Sequence, residues 1–272
     1  MRFAGRPGFC ETDWAALLAE LRARVARLER RGETSGSVLA FDHPGLDGHL
    51  PGGGLALGAL HEVGGTGPDV EHGAAAALFA AGVLARLPGL VLWVVERHDL
   101  FAPGLAAAGL YPARVLYAEA GQSTSVLLIV EEGLRAPGLA GVVGEVSGRL
   151  TLTASRRLQL AAEASGALAF ALRRSCKHDD PALAEPSAAV TRWRVGALPS
   201  GPALPHASDV PGLARARWRL DLVRCRGGEA RSWMVEACDA QGRLGVVAEL
   251  EHGQATDDAR LRATSERRRA PA

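Results

Sequence analysis

The stretch LALGALHEVGGTGPDVEHGAAAA, residues 55–77, decides how this chain folds. Its apolar first part predicts a strand at residues 58–63, its middle is a glycine-rich turn, and its alanine-rich end predicts a helix at residues 71–87. Loops that bind phosphate are built in this order, because the N–H groups at a helix N-terminus point at the anion. The first question is therefore whether this turn carries nucleotide chemistry.

The turn lacks the side chains that a nucleotide-hydrolysing phosphate loop uses. Such a loop has the pattern Gly-x-x-x-x-Gly-Lys-Ser/Thr, in which the lysine reaches the phosphate oxygens and the hydroxyl holds magnesium. Aligned on Gly73, the chain has Ala74 in place of the lysine and Ala75 in place of the hydroxyl, while Asp69 and Glu71 add negative charge. We therefore expect neither ATP hydrolysis nor a bound cofactor. The residues of this degenerate loop are Gly64, Gly65, Gly67, Gly73, Ala74 and Ala75.

Strand and helix patterns alternate along residues 58–174. LVLWVV (90–95) is a continuous apolar run, typical of a strand buried on both faces. SVLLIVEEGLR (125–135) fits a strand or a helix by periodicity alone, whereas GLAGVVGEV (138–146) fits a strand and SRRLQLAAEASG (155–166) a helix. The alternation predicts an α/β fold with a mainly parallel sheet covered by helices.

A different pattern follows a Pro- and acid-rich linker at residues 176–187. Residues 188–251 alternate apolar and polar side chains between glycine turns, which predicts an antiparallel β extension. Its arginines alternate with tryptophan and leucine, so they share one face of the strands. That face is either solvated or a basic strip that contacts DNA phosphates or a partner. The residues of the strip are Arg192, Arg194, Arg215, Arg217 and Arg219.

The two ends of the chain differ from the middle. Residues 13–31 predict an amphipathic helix that packs on its own domain or on a partner. The apolar stripe of this candidate partner helix is Trp14, Leu17, Leu18, Leu21, Val25 and Leu28. The tail at residues 252–272 is polar and basic, which predicts disorder. The expected division is an N-terminal helix and linker (1–44), an α/β core (45–175), a linker loop (176–187), the β extension (188–251) and the tail (252–272).

Composition excludes several classes of function. The formal net charge of +1 makes the whole chain a poor electrostatic binder of nucleic acid, so such a role needs a local patch. The four cysteines form no CxxC pair, which argues against a metal site or a disulfide framework. The apolar runs are too short to span a bilayer, so a cytoplasmic protein is expected, with association with the nucleoid as a further option. No GxSxG or HExxH motif suggests catalytic residues.

A family resemblance adds to this interpretation. LDGHLPGGGLALGALHEVGG (46–65) resembles the opening of the RecA-like recombinase core. Glu96 then matches the position of the water-activating glutamate of RecA-type ATPases, and Glu145 lies near the expected Walker-B aspartate, so both acids are vestigial. The chain more closely resembles the ImuA family through LPGGGLALGALHEV, EEGLRAPGLAGVVGEV, TASRRLQLAAEASG, TRWRVGALPS and LDLVRCRGGEARSWMVEACDAQGRL. These cover most of residues 45–250, and the RecA-like order makes residues 125–135 a helix.

The resemblance implies a role without catalysis. ImuA-like proteins are induced by DNA damage and are encoded beside ImuB, a polymerase-like adaptor, and an error-prone DNA polymerase. The resemblance implies a RecA-like accessory factor of SOS translesion synthesis and mutagenesis, in contact with ImuB and RecA and with DNA as a further candidate partner. Two alternatives stay open. One is an ATP-binding RecA-like motor or switch, and the other is an SOS cell-division inhibitor, since some family members carry the SulA label.

Overall fold

One large sheet runs through the part of the chain that the computed structural model describes, residues 37–204, 206 and 210–250. The predicted helix at 13–31 and the predicted tail lie outside these residues. The strands are β1 (Val38–Leu39), β2 (Leu55–Ala56), β3 (Leu60–Gly65), β4 (Leu90–Val95), β5 (Val115–Glu119), β6 (Leu139–Ser147), β7 (Leu168–Arg174), β8 (Thr191–Leu198), β9 (Arg217–Cys225), β10 (Arg231–Glu236) and β11 (Gly245–Leu250). The helices are α1 (Pro44–Asp47), α2 (Asp69–Ala85), α3 (Ala102–Ala107), α4 (Ser123–Arg135) and α5 (Leu152–Ser165).

The sheet has nine strands in the order β11-β10-β9-β8-β3-β7-β6-β4-β5, and β1 pairs separately with β2. All pairs from β8 to β5 are parallel, while β8–β9, β9–β10 and β10–β11 are antiparallel. The predicted α/β RecA-like fold, with a mainly parallel sheet and C-terminal antiparallel strands, is confirmed. None of the helices in the described ranges has the length and apolarity that crossing a bilayer requires.

Helices cover the two faces of the parallel part differently. On one face α2 packs against Trp93, Phe170 and Trp193 within the larger of two apolar clusters. Alanines on α2 let it approach closely, and a Cβ at Gly82 would collide with Cys238. On the other face α4 and α5 cover a smaller cluster. Burial on both faces explains why β4 is apolar at every position.

The segment at 125–135, ambiguous by periodicity, lies in the helix α4, as the RecA-like order requires. Its buried residues Val126, Val130 and Leu134 recur every four positions, so they form one apolar face. The strand predicted at 90–95 has the bounds expected. The helix after the glycine turn begins earlier than predicted, at Asp69, directly after Pro68.

The pairing of strand β8 differs from the prediction. It was expected to begin an antiparallel extension, but it pairs in parallel with β3 on one side and antiparallel with β9 on the other. The reason is that Trp193 and Val195 of β8 belong to the same core as α2, so β8 must lie beside β3. The predicted domain bounds stay a prediction, although one sheet includes strands from both sides of residues 176–187.

A buried histidine joins β3 to β8 through a directional chain of hydrogen bonds. Trp193 Nε1 donates to Thr191 Oγ1 at 2.7 Å, and His61 Nδ1 lies 2.7 Å from the same oxygen. His61 Nε2 lies 2.8 Å from the carbonyl of Ala56, which can only accept, so this nitrogen carries the proton and Nδ1 accepts from Thr191. Burial lowers the pKa of His61 to about 4, with the Ala56 carbonyl opposing the shift.

This histidine makes stability depend on pH. Between the folded pKa of about 4 and the unfolded value of 6.5, the unfolded chain binds more protons, so stability is full above that window and is lost as pH falls through it. We expect the His61 contribution to lower the free energy of unfolding by about 2 kcal/mol at pH 5 relative to pH 7. Urea denaturation at both pH values measures it. His61→Gln should reduce this difference, and an unchanged difference would contradict the assignment.

Candidate functional site at the carboxyl edge of the sheet

Two backbone amides at the glycine turn form hydrogen bonds within the protein. Only residues 66–68 lie between β3 and α2. The amide of Thr66 donates to the carbonyl of Val195 at 3.2 Å, and the amide of Asp69 donates to the carbonyl of Ser175 at 2.8 Å. A phosphate loop presents such amides to its ligand, whereas these two join the turn to β8 and to the segment after β7.

The residues of the degenerate loop are divided among three elements. Gly64 and Gly65 end β3, Gly67 lies in the turn, and Gly73, Ala74 and Ala75 lie inside α2. A Cβ at Gly64 would meet the side chains of Arg194 and Arg173, so the glycine permits their close approach to β3. The methyl groups of the two alanines offer nothing to an anion. None of these six residues provides a charged or hydroxyl group for a nucleotide.

The guanidinium of Arg174, at the end of β7, occupies the carboxyl edge beside the turn. It contacts Asp69 at 2.5 Å, Glu145 at 2.6 Å and Asp99 at 2.7 Å. Burial by itself lowers the pKa of Arg174, but its hydrogen bonds to Asp99 and Asp69 raise it above the ordinary value. Arg174 therefore stays charged and joins acids that follow or end three different strands, β3, β4 and β6.

The two vestigial acids of the RecA resemblance both lie at this edge. Glu145 on β6 is buried and accepts a hydrogen bond from Trp93 Nε1 at 3.0 Å. Burial raises its pKa, while Trp93 and Arg174 oppose the shift. Glu96 follows β4 and accepts from the hydroxyl of Ser123 at 2.8 Å. Burial acts to raise the pKa of Glu96, but hydrogen bonds from Ser123 and Ser147 lower it overall.

A cavity of about 550 Å³ lies at this edge, and we call it the Arg174 cavity. Its carboxylates are Asp69, Glu96, Asp99, Glu145 and Asp180, and its basic side chains are Arg97, Arg174 and Lys177. The lining therefore carries more negative than positive charge, which disfavours a polyphosphate. Among the described residues, no group of three His, Cys, Asp or Glu side chains is placed to hold a metal ion.

Comparison of the amino-acid sequence with known proteins identifies the family of this chain. The chain is 41% identical over 221 residues to Protein ImuA of Caulobacter vibrioides in each of two strains, and the aligned part covers 78% of this chain and 88% of the relative. The chain belongs to the ImuA family. No family model matches the chain. The resemblance inferred from the sequence is thereby confirmed.

The predicted basic strip of this ImuA-family chain is not one continuous surface. Arg192 is buried and its guanidinium lies 3.0 Å from Glu62. Arg219 pairs with Asp221 at 2.8 Å, and Arg215 lies before β9, where it donates to the carbonyl of Arg243 at 2.6 Å. Arg194 and Arg217 have no carboxylate partner within the described residues. The structure brings Arg192, Arg194 and Arg219 together around one cavity, described below, whereas Arg215 and Arg217 do not line it.

Sequence reasoning missed the buried carboxylate of Glu62. It lies in the middle of β3 with no exposed surface and holds Arg173 at 3.1 Å and Arg192 at 3.0 Å. The hydroxyl of Ser187 donates to it as well. A charged residue inside an otherwise apolar strand was the available signal. Lys177, the one lysine in the chain, lines the Arg174 cavity rather than following the glycine turn.

Removing Arg174 should destabilise this edge of the sheet. Arg174→Met leaves Glu145, whose side chain is 2% exposed, without its cationic partner. Breaking such a pair costs about 3 kcal/mol, which urea denaturation would measure as a loss in the free energy of unfolding. The matched control is Arg97→Met, an exposed arginine of the same cavity, for which we expect a change below about 0.5 kcal/mol. Equal losses in the two variants would show that the ion pairs of Arg174 contribute little.

Proposed function

We propose that this ImuA-family chain is a non-catalytic accessory factor in DNA-damage-induced, SOS-type translesion synthesis and mutagenesis. The observation that carries the proposal is the Arg174 cluster. The guanidinium of Arg174 holds Asp69, Asp99 and Glu145 at the edge where a RecA-like ATPase would bind nucleotide. A RecA-like fold in which internal ion pairs occupy the carboxyl edge of the sheet is suited to protein contacts rather than to the turnover of ATP.

The partners that we propose are the ImuB-like adaptor and RecA, and indirectly an error-prone DNA polymerase. We propose a cytoplasmic location, with association with the nucleoid as a further option. Charge supports protein partners over DNA as the main contact, because the chain has a formal net charge of +1 and three of its strip arginines, Arg192, Arg215 and Arg219, already pair with carboxylates.

We also propose that the C-terminal strands carry the docking surface for the adaptor. Strands β9 and β10 bury Trp218, Leu220 and Trp233 on one face, so the opposite face presents their polar side chains. A truncation beyond residue 186 is a poor test of this surface, because it removes β8 from beside β3 together with Trp193 of the core. Single substitutions on the exposed side separate docking from folding.

Nucleotide titration tests the absence of ATPase function. We expect no heat of binding when magnesium–ATP is titrated into the full chain in a calorimeter, and no phosphate release, because Ala74 and Ala75 replace the phosphate-contacting side chains and the cavity lining is acidic. A RecA-like ATPase of the same size class serves as the positive control. Micromolar ATP binding would overturn this part of the proposal and favour the motor or switch alternative.

Co-purification tests the partners. The tagged chain, isolated from damage-treated cells, should recover ImuB and RecA, and Arg217→Glu should lower recovery of ImuB because it reverses a charge that no described carboxylate neutralises. Arg156→Glu, on the exposed side of α5, is the matched control and should bind as the wild type does. Recovery of the tubulin-like division protein without ImuB would favour the division-inhibitor alternative.

A further inference from the structure

A second cavity lies beside the glycine turn, on the opposite side of β3 from β7. Its volume is about 980 Å³, and we call it the β8–β9 cavity. It is bordered by residues 65–67, where β3 passes into the glycine turn, and by the segment at 178–184. The polar faces of β8 and β9 line it through Arg192, Arg194 and Arg219. The Arg174 cavity shares only Asp180 with it.

The charges around this cavity are not all neutralised. Glu62 is shared by Arg173 and Arg192, and Asp221 is engaged by Arg219. Within the described ranges, no carboxylate pairs with Arg194. Its Nη2 donates to the carbonyl of Leu183 at 2.9 Å, while its buried Nη1 has no hydrogen-bond acceptor among the described residues.

The surroundings of Arg194 make an added anion favourable. Burial, and after it repulsion from Arg192, lowers the pKa of Arg194 to about 10, with Glu62 opposing the shift. At neutral pH the guanidinium therefore remains charged and lies next to two other guanidinium groups. Arg194 is partly buried and no described carboxylate pairs with it, and an unpaired charge in such a place is unfavourable. Because Nη1 is enclosed against Gly64, an added carboxylate would pair with the side of the guanidinium that faces the cavity.

The same lining indicates which anion is suitable. Asp179, Asp180 and Asp221 also border the cavity, so a run of phosphates inside it would be repelled, whereas one carboxylate side chain of a peptide can reach Arg194 while its other charges stay outside. Among the residues that the structure describes, no aromatic side chain lines the cavity, whereas sites for single-stranded nucleic acid use aromatic rings to stack the bases. The formal net charge of +1 provides no long-range attraction for a polyanion.

We propose that the β8–β9 cavity receives an aspartate or glutamate side chain of a partner protein, whose carboxylate pairs with Arg194 while Arg219 lies at the rim. This inference rests on the proposed function, because it supplies the contact chemistry for a protein partner. Of the strip arginines that line this cavity, Arg194 is the one on which binding of the carboxylate depends. Arg192 acts through Glu62 and maintains the floor of the cavity.

The test uses the full chain, with Arg194→Met as the variant and Arg156→Met as the matched control. Arg194→Met keeps the length of the side chain and removes a charge repelled by its neighbours, so its thermal midpoint should equal or exceed that of the wild type. Fluorescence anisotropy with a labelled hexaglutamate peptide should then show binding at least about tenfold weaker for Arg194→Met and unchanged binding for Arg156→Met. A labelled thymidine hexanucleotide is the second probe.

The outcomes separate this inference from the proposed function. No binding of hexaglutamate by the wild type, or equal binding by the wild type and Arg194→Met, overturns the inference. Tighter binding of the hexanucleotide, abolished by Arg194→Met, also overturns it in favour of a nucleic-acid site. Recovery of ImuB by the wild type and equally by Arg194→Met would leave the proposed function intact and remove the inference. If the wild type binds hexaglutamate through Arg194 but recovers no ImuB, the inference about the β8–β9 cavity is supported and the assignment of ImuB as a partner is wrong.

Discussion

The carboxylate of Glu62 is the interaction on which the arrangement around both cavities depends. It lies in the central strand β3 and holds one arginine from β7 and another from β8, so three adjacent strands meet at one buried negative charge. The same two arginines donate to the carbonyls of Ala182 and Glu185 and thereby hold the 176–187 segment on the sheet. Loss of this carboxylate would leave two buried guanidinium groups facing each other.

Arg174 and Arg194 lie in different charge environments, and their roles differ accordingly. Arg174 is surrounded by acids and is saturated, so it consolidates the edge of the sheet. Arg194 lies beside Arg192 and Arg173 and has no carboxylate partner among the described residues. The glycine turn lies between them and contributes little chemistry of its own, because its amides at Thr66 and Asp69 are already bonded. The edge at Arg174 is thus consolidated by ion pairs, whereas Arg194 lines a cavity and keeps a charge that no described carboxylate neutralises.

Local patterns predicted the elements well and the partners of charged residues poorly. β4 could be predicted to the residue because burial on both faces produces an uninterrupted apolar run. The segment at 125–135 was ambiguous because a short apolar run fits either element, and the family resemblance resolved it. The partners of Glu62 lie 111 and 130 residues away, so no local pattern could reveal them. For the same reason, the sequence predicted that the arginines of the strip share a face but could not show which of them pair with a carboxylate.

The place of β8 in the sheet has a consequence for how the chain folds. β3 is made early, yet one of its two neighbours comes from residues 191–198 and the other from residues 168–174. A nascent chain that has reached only β7 therefore presents an unpaired edge of β3, and an exposed strand edge can pair with another chain. Pairings of such sequence separation also slow folding. During synthesis, the central strand β3 therefore has an unpaired edge that is open to pairing with another chain. This stage ends only when β8, in the last third of the chain, has been made.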